Sequence, residues 1–73
     1  MIIVKTINCE ELEENTMFNS FTEFQKEWNR EENNIPYIND KLVYAEIDGK
    51  QIQGKTFIDV LKYLIINYGL KTV

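Results

Sequence analysis

The stretch that most limits what this chain can fold into runs from Thr56 to Tyr68, TFIDVLKYLIINY. Phe57, Val60, Leu61, Leu64, Ile65 and Tyr68 recur on a 3.6-residue period, which draws one continuous apolar stripe along an α-helix. Thr56 can cap the first turn, and Asp59, three residues on, completes a capping box. Gly69 stands where a left-handed C-terminal cap belongs. Burying Phe57 and the aliphatic residues of the stripe contributes about 7–15 kcal/mol gross. No other segment of the 73 residues offers as much, so the rest of the chain is expected to pack against this helix.

The remaining segments supply a small sheet and a second helix. Met1 to Ile7, MIIVKTI, is rich in β-branched residues. Ile2 and Val4 point opposite to Ile3, Lys5 and Ile7, and two apolar faces mark a central strand. Asn8 to Asn19 crowds Glu10, Glu11, Glu13 and Glu14 around Leu12 and reads as a loop or short helical turn. Ser20 to Glu32 reads as a helix opened by a Ser20/Glu23 capping box, with Phe21, Phe24 and Trp28 on its core side and Glu23, Glu27 and Glu31 opposite. Pro36 and the surrounding asparagines make Asn33 to Asp40 a connection. Lys41 to Gln53 is expected to form a hairpin about a type I′ turn at Asp48–Gly49. Its core face would carry Val43, Ala45, Ile47 and Ile52, leaving Leu42 and Tyr44 on the reverse face. The expected fold is α+β in the order β-α-β-β-α, a small mostly antiparallel sheet with two helices packed on it, one domain over residues 1–73.

What the chain lacks narrows its chemistry. It has no histidine, one cysteine (Cys9) and one serine (Ser20). No side chain therefore has an ordinary pKa near neutrality to act as a general base, and neither Ser20 nor Cys9 has an imidazole to activate it. Zinc sites built from cysteine and histidine cannot be assembled, and no intrachain disulfide can form. The expectation is a protein that is not an enzyme and needs no cofactor or metal. A single thiol with no recognisable leader suits a reducing cytoplasm.

One motif matches a catalytic pattern in letters. Gly49 to Thr56, GKQIQGKT, fits the GxxxxGK[ST] phosphate loop and precedes a helix. That loop needs a buried parallel strand before it and a much longer nucleotide-binding sheet around it. Asp48–Gly49 is better explained as a hairpin turn, and Lys55–Thr56 as the start and cap of a helix. A nucleotide-binding protein is kept only as an alternative.

Charge is the most uneven property. Residues 10–32 hold eight acids (Glu10, Glu11, Glu13, Glu14, Glu23, Glu27, Glu31, Glu32) and two bases, a net of −6. The rest holds four acids and six bases, giving −4 overall. Such a band disfavours direct contact with nucleic acid or anionic membrane and favours a basic protein surface. The far side of the Thr56–Tyr68 helix also carries Ile58, Tyr63 and Ile66. With Tyr44 these are expected to form a dimer contact or another apolar interface.

The size, the missing catalytic groups, the Asn/Ile/Lys/Glu-rich composition and the Glu10–Glu14 and Glu23–Glu32 clusters resemble small phage-encoded takeover proteins of Gram-positive bacteria. Some of these mimic DNA and block host DNA-handling proteins such as the sliding clamp or the HU-type nucleoid protein. The resemblance implies a homodimeric inhibitor in the cytoplasm of a bacterial host cell. Its eight glutamates would occupy the partner's DNA-binding surface. The start MIIVKT and the length are also similar to ubiquitin-like domains, but the terminal helix departs from that pattern. A regulatory or adaptor module that binds through an apolar helix or sheet face is the other expectation.

Overall fold

Alternation of buried and half-buried residues along Ile2–Ile7 makes this segment β1, the strand on which the sheet is built. The computed structural model describes residues 1–72. Its elements are β1 (Ile2–Ile7), β2 (Glu13–Phe18), α1 (Phe21–Arg30), β3 (Lys41–Ile47), β4 (Lys50–Gln51) and α2 (Phe57–Tyr68). They form a four-stranded antiparallel sheet in the order β2-β1-β3-β4. The α+β class and the central place of β1 are as expected.

The charged segment after β1 is a strand and not the loop or helical turn expected there, so the order is β-β-α-β-β-α. Asn8 builds the reversal: its side-chain oxygen accepts from the N–H groups of Glu10 (2.9 Å) and Leu12 (3.0 Å), an Asx-type turn. The strand then pairs along its whole length with β1, from Ile7 opposite Glu13 to Ile2 opposite Phe18. Only Phe18 is buried, because β2 is an edge strand with little of the core to cover. That is why its composition reads as a loop.

The second hairpin turns at Asp48–Gly49 as expected. Both residues have positive φ (50° and 85°), the type I′ geometry. Ile47 faces Lys50, and the Ile52 N–H bonds the Ala45 carbonyl. The inward face differs at its start. The β1–β3 ladder slips between Lys5 and Thr6, so Tyr44 pairs with Lys5 and Leu42 with Thr6. Val43 is the extra residue of this bulge. Leu42 is therefore buried and Val43 is 47% exposed, the reverse of the simple alternation.

Both helices cover one face of the sheet. Ile2, Val4, Phe18, Leu42, Ala45, Ile47 and Ile52 form a single core with Phe24 and Trp28 of α1 and Phe57, Val60, Leu61 and Leu64 of α2. The aromatic rings interlock: Phe18 meets Phe24 edge-on at 5.0 Å, and Tyr37 meets Phe57 edge-on at 4.9 Å. Ile35, from the connection before β3, is also fully enclosed.

The two helix starts follow the expected chemistry. In α1 the Ser20 hydroxyl accepts from the Glu23 N–H, while the Glu23 carboxylate accepts from Asn19. In α2 the Asp59 carboxylate accepts from the N–H groups of Lys55 (2.6 Å) and Thr56 (3.3 Å), which holds this carboxyl below the usual carboxylate range. Gly69 is left-handed (φ 67°), and the Leu70 N–H returns to the Leu64 carbonyl. Helix α1 ends at Arg30, two residues short of the expected Glu32, with Glu32 (φ 54°) and Asn33 (φ 64°) both left-handed. Ile65, assigned to the stripe from its spacing, is 45% exposed. The buried arc of α2 is narrower than the apolar one.

A candidate acidic interface

The eight glutamates come from three consecutive pieces of structure. Glu10 and Glu11 lie in the β1–β2 turn, Glu13 and Glu14 start β2, and Glu23, Glu27, Glu31 and Glu32 lie along and just beyond α1. Glu27 is half-buried and the other seven are exposed. The turn is held by the Asn8 side chain, the strand by its ladder with β1 and the helix by burial of Phe24 and Trp28.

Phe18 of β2 packs edge-on against Phe24 of α1, so the strand and helix glutamates come from adjoining elements, and Tyr37 lies in the connection that follows α1. Its phenol is pushed up to about 12, first by burial and then by the negative charges of Glu27, Glu31 and Glu14. Glu27 lies in α1, Glu31 caps its C-terminal end and Glu14 lies in β2.

Basic residues neutralise part of this surface. Arg30 pairs with Glu27 and, at 3.8 Å, with Glu31. The Glu27 contact comes first in raising the Arg30 guanidinium above its ordinary value. Lys5 reaches Glu13 at 3.5 Å. These pairs are exposed, and exposed pairs exchange readily for other partners. Glu10, Glu11, Glu14, Glu23 and Glu32 form no ion pair among the described residues.

Two of the acids occupy expensive backbone positions. Glu11 (φ 62°) and Glu32 (φ 54°) sit in the left-handed region, which costs about 1–2 kcal/mol for an ordinary L residue and little for glycine or asparagine. Sequence reasoning marked both only as charges. The signal that could have placed them is the turn chemistry of Asn8 and the end of the Phe24/Trp28 periodicity.

The apolar residues expected at an interface do not share one surface. Tyr44 lies on the open face of the sheet, opposite Lys5, and its hydroxyl donates to Glu46 (3.0 Å). Tyr63 packs partly against the core with Lys50 over its ring at 5.8 Å. Ile58 (37% exposed) and Ile66 (80%) lie on the outer side of α2 with Ile65, and the helices cover the other face of the sheet from Tyr44. Sequence reasoning had put Ile65 in the core and so missed it as part of this outer row.

The phosphate-loop match dissolves into ordinary structure. Gly49 is in the hairpin turn, Lys50–Gln51 is β4, and Ile52 is buried. The N–H groups of Lys55 and Thr56 are already taken by Asp59. No group of three or more potential metal-ligating side chains converges among the described residues. Cys9 is a free, exposed thiol beside a shallow depression lined by Ile7, Asn8, Glu11 and Lys41. No described helix is long and apolar enough to cross a membrane. No protein family, curated protein or solved structure matches the chain.

Proposed function

We propose that this chain is a non-enzymatic protein-binding inhibitor whose acidic surface occupies the cationic DNA track of a DNA-handling protein. The sliding clamp and the HU-type nucleoid protein are the target classes implied by the likeness to phage takeover proteins. The observation that carries the reading is the exposure of seven of the eight glutamates along the β1–β2 turn, β2, and α1 and its C-terminal end, with β2 and α1 packed together at Phe18 and Phe24, since a phosphate-like surface needs the strand and helix acids side by side. The left-handed glutamates support it as well, because charge is kept where glycine would fold more cheaply. In this role the glutamates supply attraction and register to a basic partner. Such an inhibitor works in the cytoplasm of a bacterial host cell, where its target meets DNA.

The test is a competition between this protein and duplex DNA for a purified HU-type protein and for a sliding clamp. The reading expects displacement of DNA from one of them, a steep loss of affinity with salt, and loss of binding in the Glu27→Lys/Glu31→Lys variant. Failure to compete with DNA on both targets rejects these two target classes.

A second reading is favoured by the exposed row Ile58, Ile65 and Ile66. On that reading the chain is a regulatory or adaptor module docking by the outer side of α2, with a homodimer as one outcome. Binding by this face would survive high salt and fail on Ile66→Lys, and light scattering would report the dimer.

A further inference from the structure

The two edges of the sheet are unlike. On one side β4 is two residues long, and the chain beyond it continues along β3 through a Lys41–Thr56 bridge and a Leu42 N–H bond to the Lys55 carbonyl. That edge carries Lys50 and Lys55. On the other side β2 is six residues long and pairs only with β1. None of Glu13–Phe18 makes a backbone hydrogen bond outside that ladder among the described residues. In an antiparallel edge strand about half of the N–H and C=O groups point outward, ready to template another strand.

We propose that the free edge of β2 accepts an added strand from its partner, an extended segment carrying lysine or arginine. This rests on the acidic-surface reading above and deepens it by naming the form in which the cations arrive. The register of β2 fixes where charge is wanted. Glu14 pairs with Thr6, whose side chain is buried on the helix-covered face, whereas Glu13 pairs with Ile7 on the open face. An incoming cation opposite Glu14 would meet a carboxylate that forms no ion pair among the described residues. Two residues along, the same side of the added strand lies opposite Thr16 and then Phe18, where uncharged side chains suffice. Main-chain bonds would supply affinity and the cation would supply selection, the division of labour in strand addition.

Charge selects this occupant over others. A second copy would bring β2 against β2, a strand of sequence EENTMF with no basic residue to face Glu14. An acidic strand is repelled by a band of net −6. A basic strand would be turned away from the opposite edge by Lys50 and Lys55.

The test uses the full chain and a synthetic ten-residue peptide alternating lysine with valine. A second peptide of the same sequence is N-methylated on every backbone amide, which keeps the charge and blocks main-chain pairing through either edge of the strand. Titration should show the first peptide binding at least tenfold more tightly. Hydrogen exchange should slow at amides within residues 13–18, and Glu14→Gln should weaken binding. Equal affinity for the two peptides overturns strand addition while leaving the electrostatic reading intact. Absence of binding by both also overturns strand addition, and the DNA competition above then decides the fate of the electrostatic reading separately.

Discussion

Helix α2 and the β2–α1 region contribute to the same core and are built on opposite terms. Helix α2 buries Phe57, Val60, Leu61 and Leu64, starts on a carboxylate cap and ends on a left-handed glycine. Its buried stripe and both of its ends stabilise the fold. The β2–α1 region buries Phe18, Phe24 and Trp28 but lines its outside with acids, two of them in left-handed backbone that suits glycine better. The contrast separates the part of the chain that stabilises from the part that is free to present charge. It also explains why a small domain can carry a band of net −6: the core does not depend on it.

Mutation should break that comparison in a definite order. Leu64→Ala, at a fully buried position, should cost about 2–5 kcal/mol in denaturant unfolding, enough to unfold much of a domain this size. Glu27→Lys/Glu31→Lys should change stability by less than about 1 kcal/mol, because Arg30 and Glu31 are exposed and Glu27 is only half-buried. Gly54→Ala ranks second, between Leu64→Ala and the glutamate reversal. A Cβ there would sit 2.5 Å from the Asp59 Cβ, so the side chain that caps α2 must move, at about 1–3 kcal/mol. In the acidic region the sign reverses. Glu32→Gly should stabilise by about 0.5–1 kcal/mol by relieving a left-handed glutamate, and a loss of stability there would remove the argument from strain.

Alkaline titration gives the finest comparison, because one shifted tyrosine, Tyr68, ends α2 and another, Tyr37, lies in the connection that follows α1. Tyr37 is raised to about 12 chiefly by burial, and Tyr68 to about 12 chiefly by donating its hydrogen bond to Asp48. Both folded-state values lie above the ordinary value of 10.0. The folded chain therefore holds these protons more tightly than the unfolded one. The stability they contribute is complete below pH 10 and is lost as pH rises through about 12. Glu27→Gln/Glu31→Gln should lower the ultraviolet titration midpoint of Tyr37 and leave that of Tyr68 in place. An unmoved Tyr37 would mean that the helix acids do not share its field.

Much of this was legible in the residues. The stripe from Phe57 to Leu64, the Ser20 and Asp59 caps, the Asp48–Gly49 turn and Gly69 each follow from local chemistry that tertiary structure left undisturbed. Strand β2 was not legible because an edge strand with one buried side chain has almost no hydrophobic alternation to detect. Leu42 and Val43 exchanged faces because a bulge adds a residue that no alternation rule anticipates. Ile65 misled for a different reason: helical spacing defines an arc, and how much of the arc is covered depends on what packs against it. The glutamates were legible only as charges in the sequence; that α1 lies beside β2, and so brings the two clusters to adjoining elements, becomes evident only in the fold.

The most direct test of the central claim is an amide chemical-shift map of this protein titrated with an HU-type nucleoid protein or a sliding clamp, whichever loses DNA to it. The account predicts perturbations concentrated in residues 10–32, with the outer side of α2 at Ile58, Ile65 and Ile66 unmoved. Perturbations confined to α2, with the glutamates silent, would contradict it.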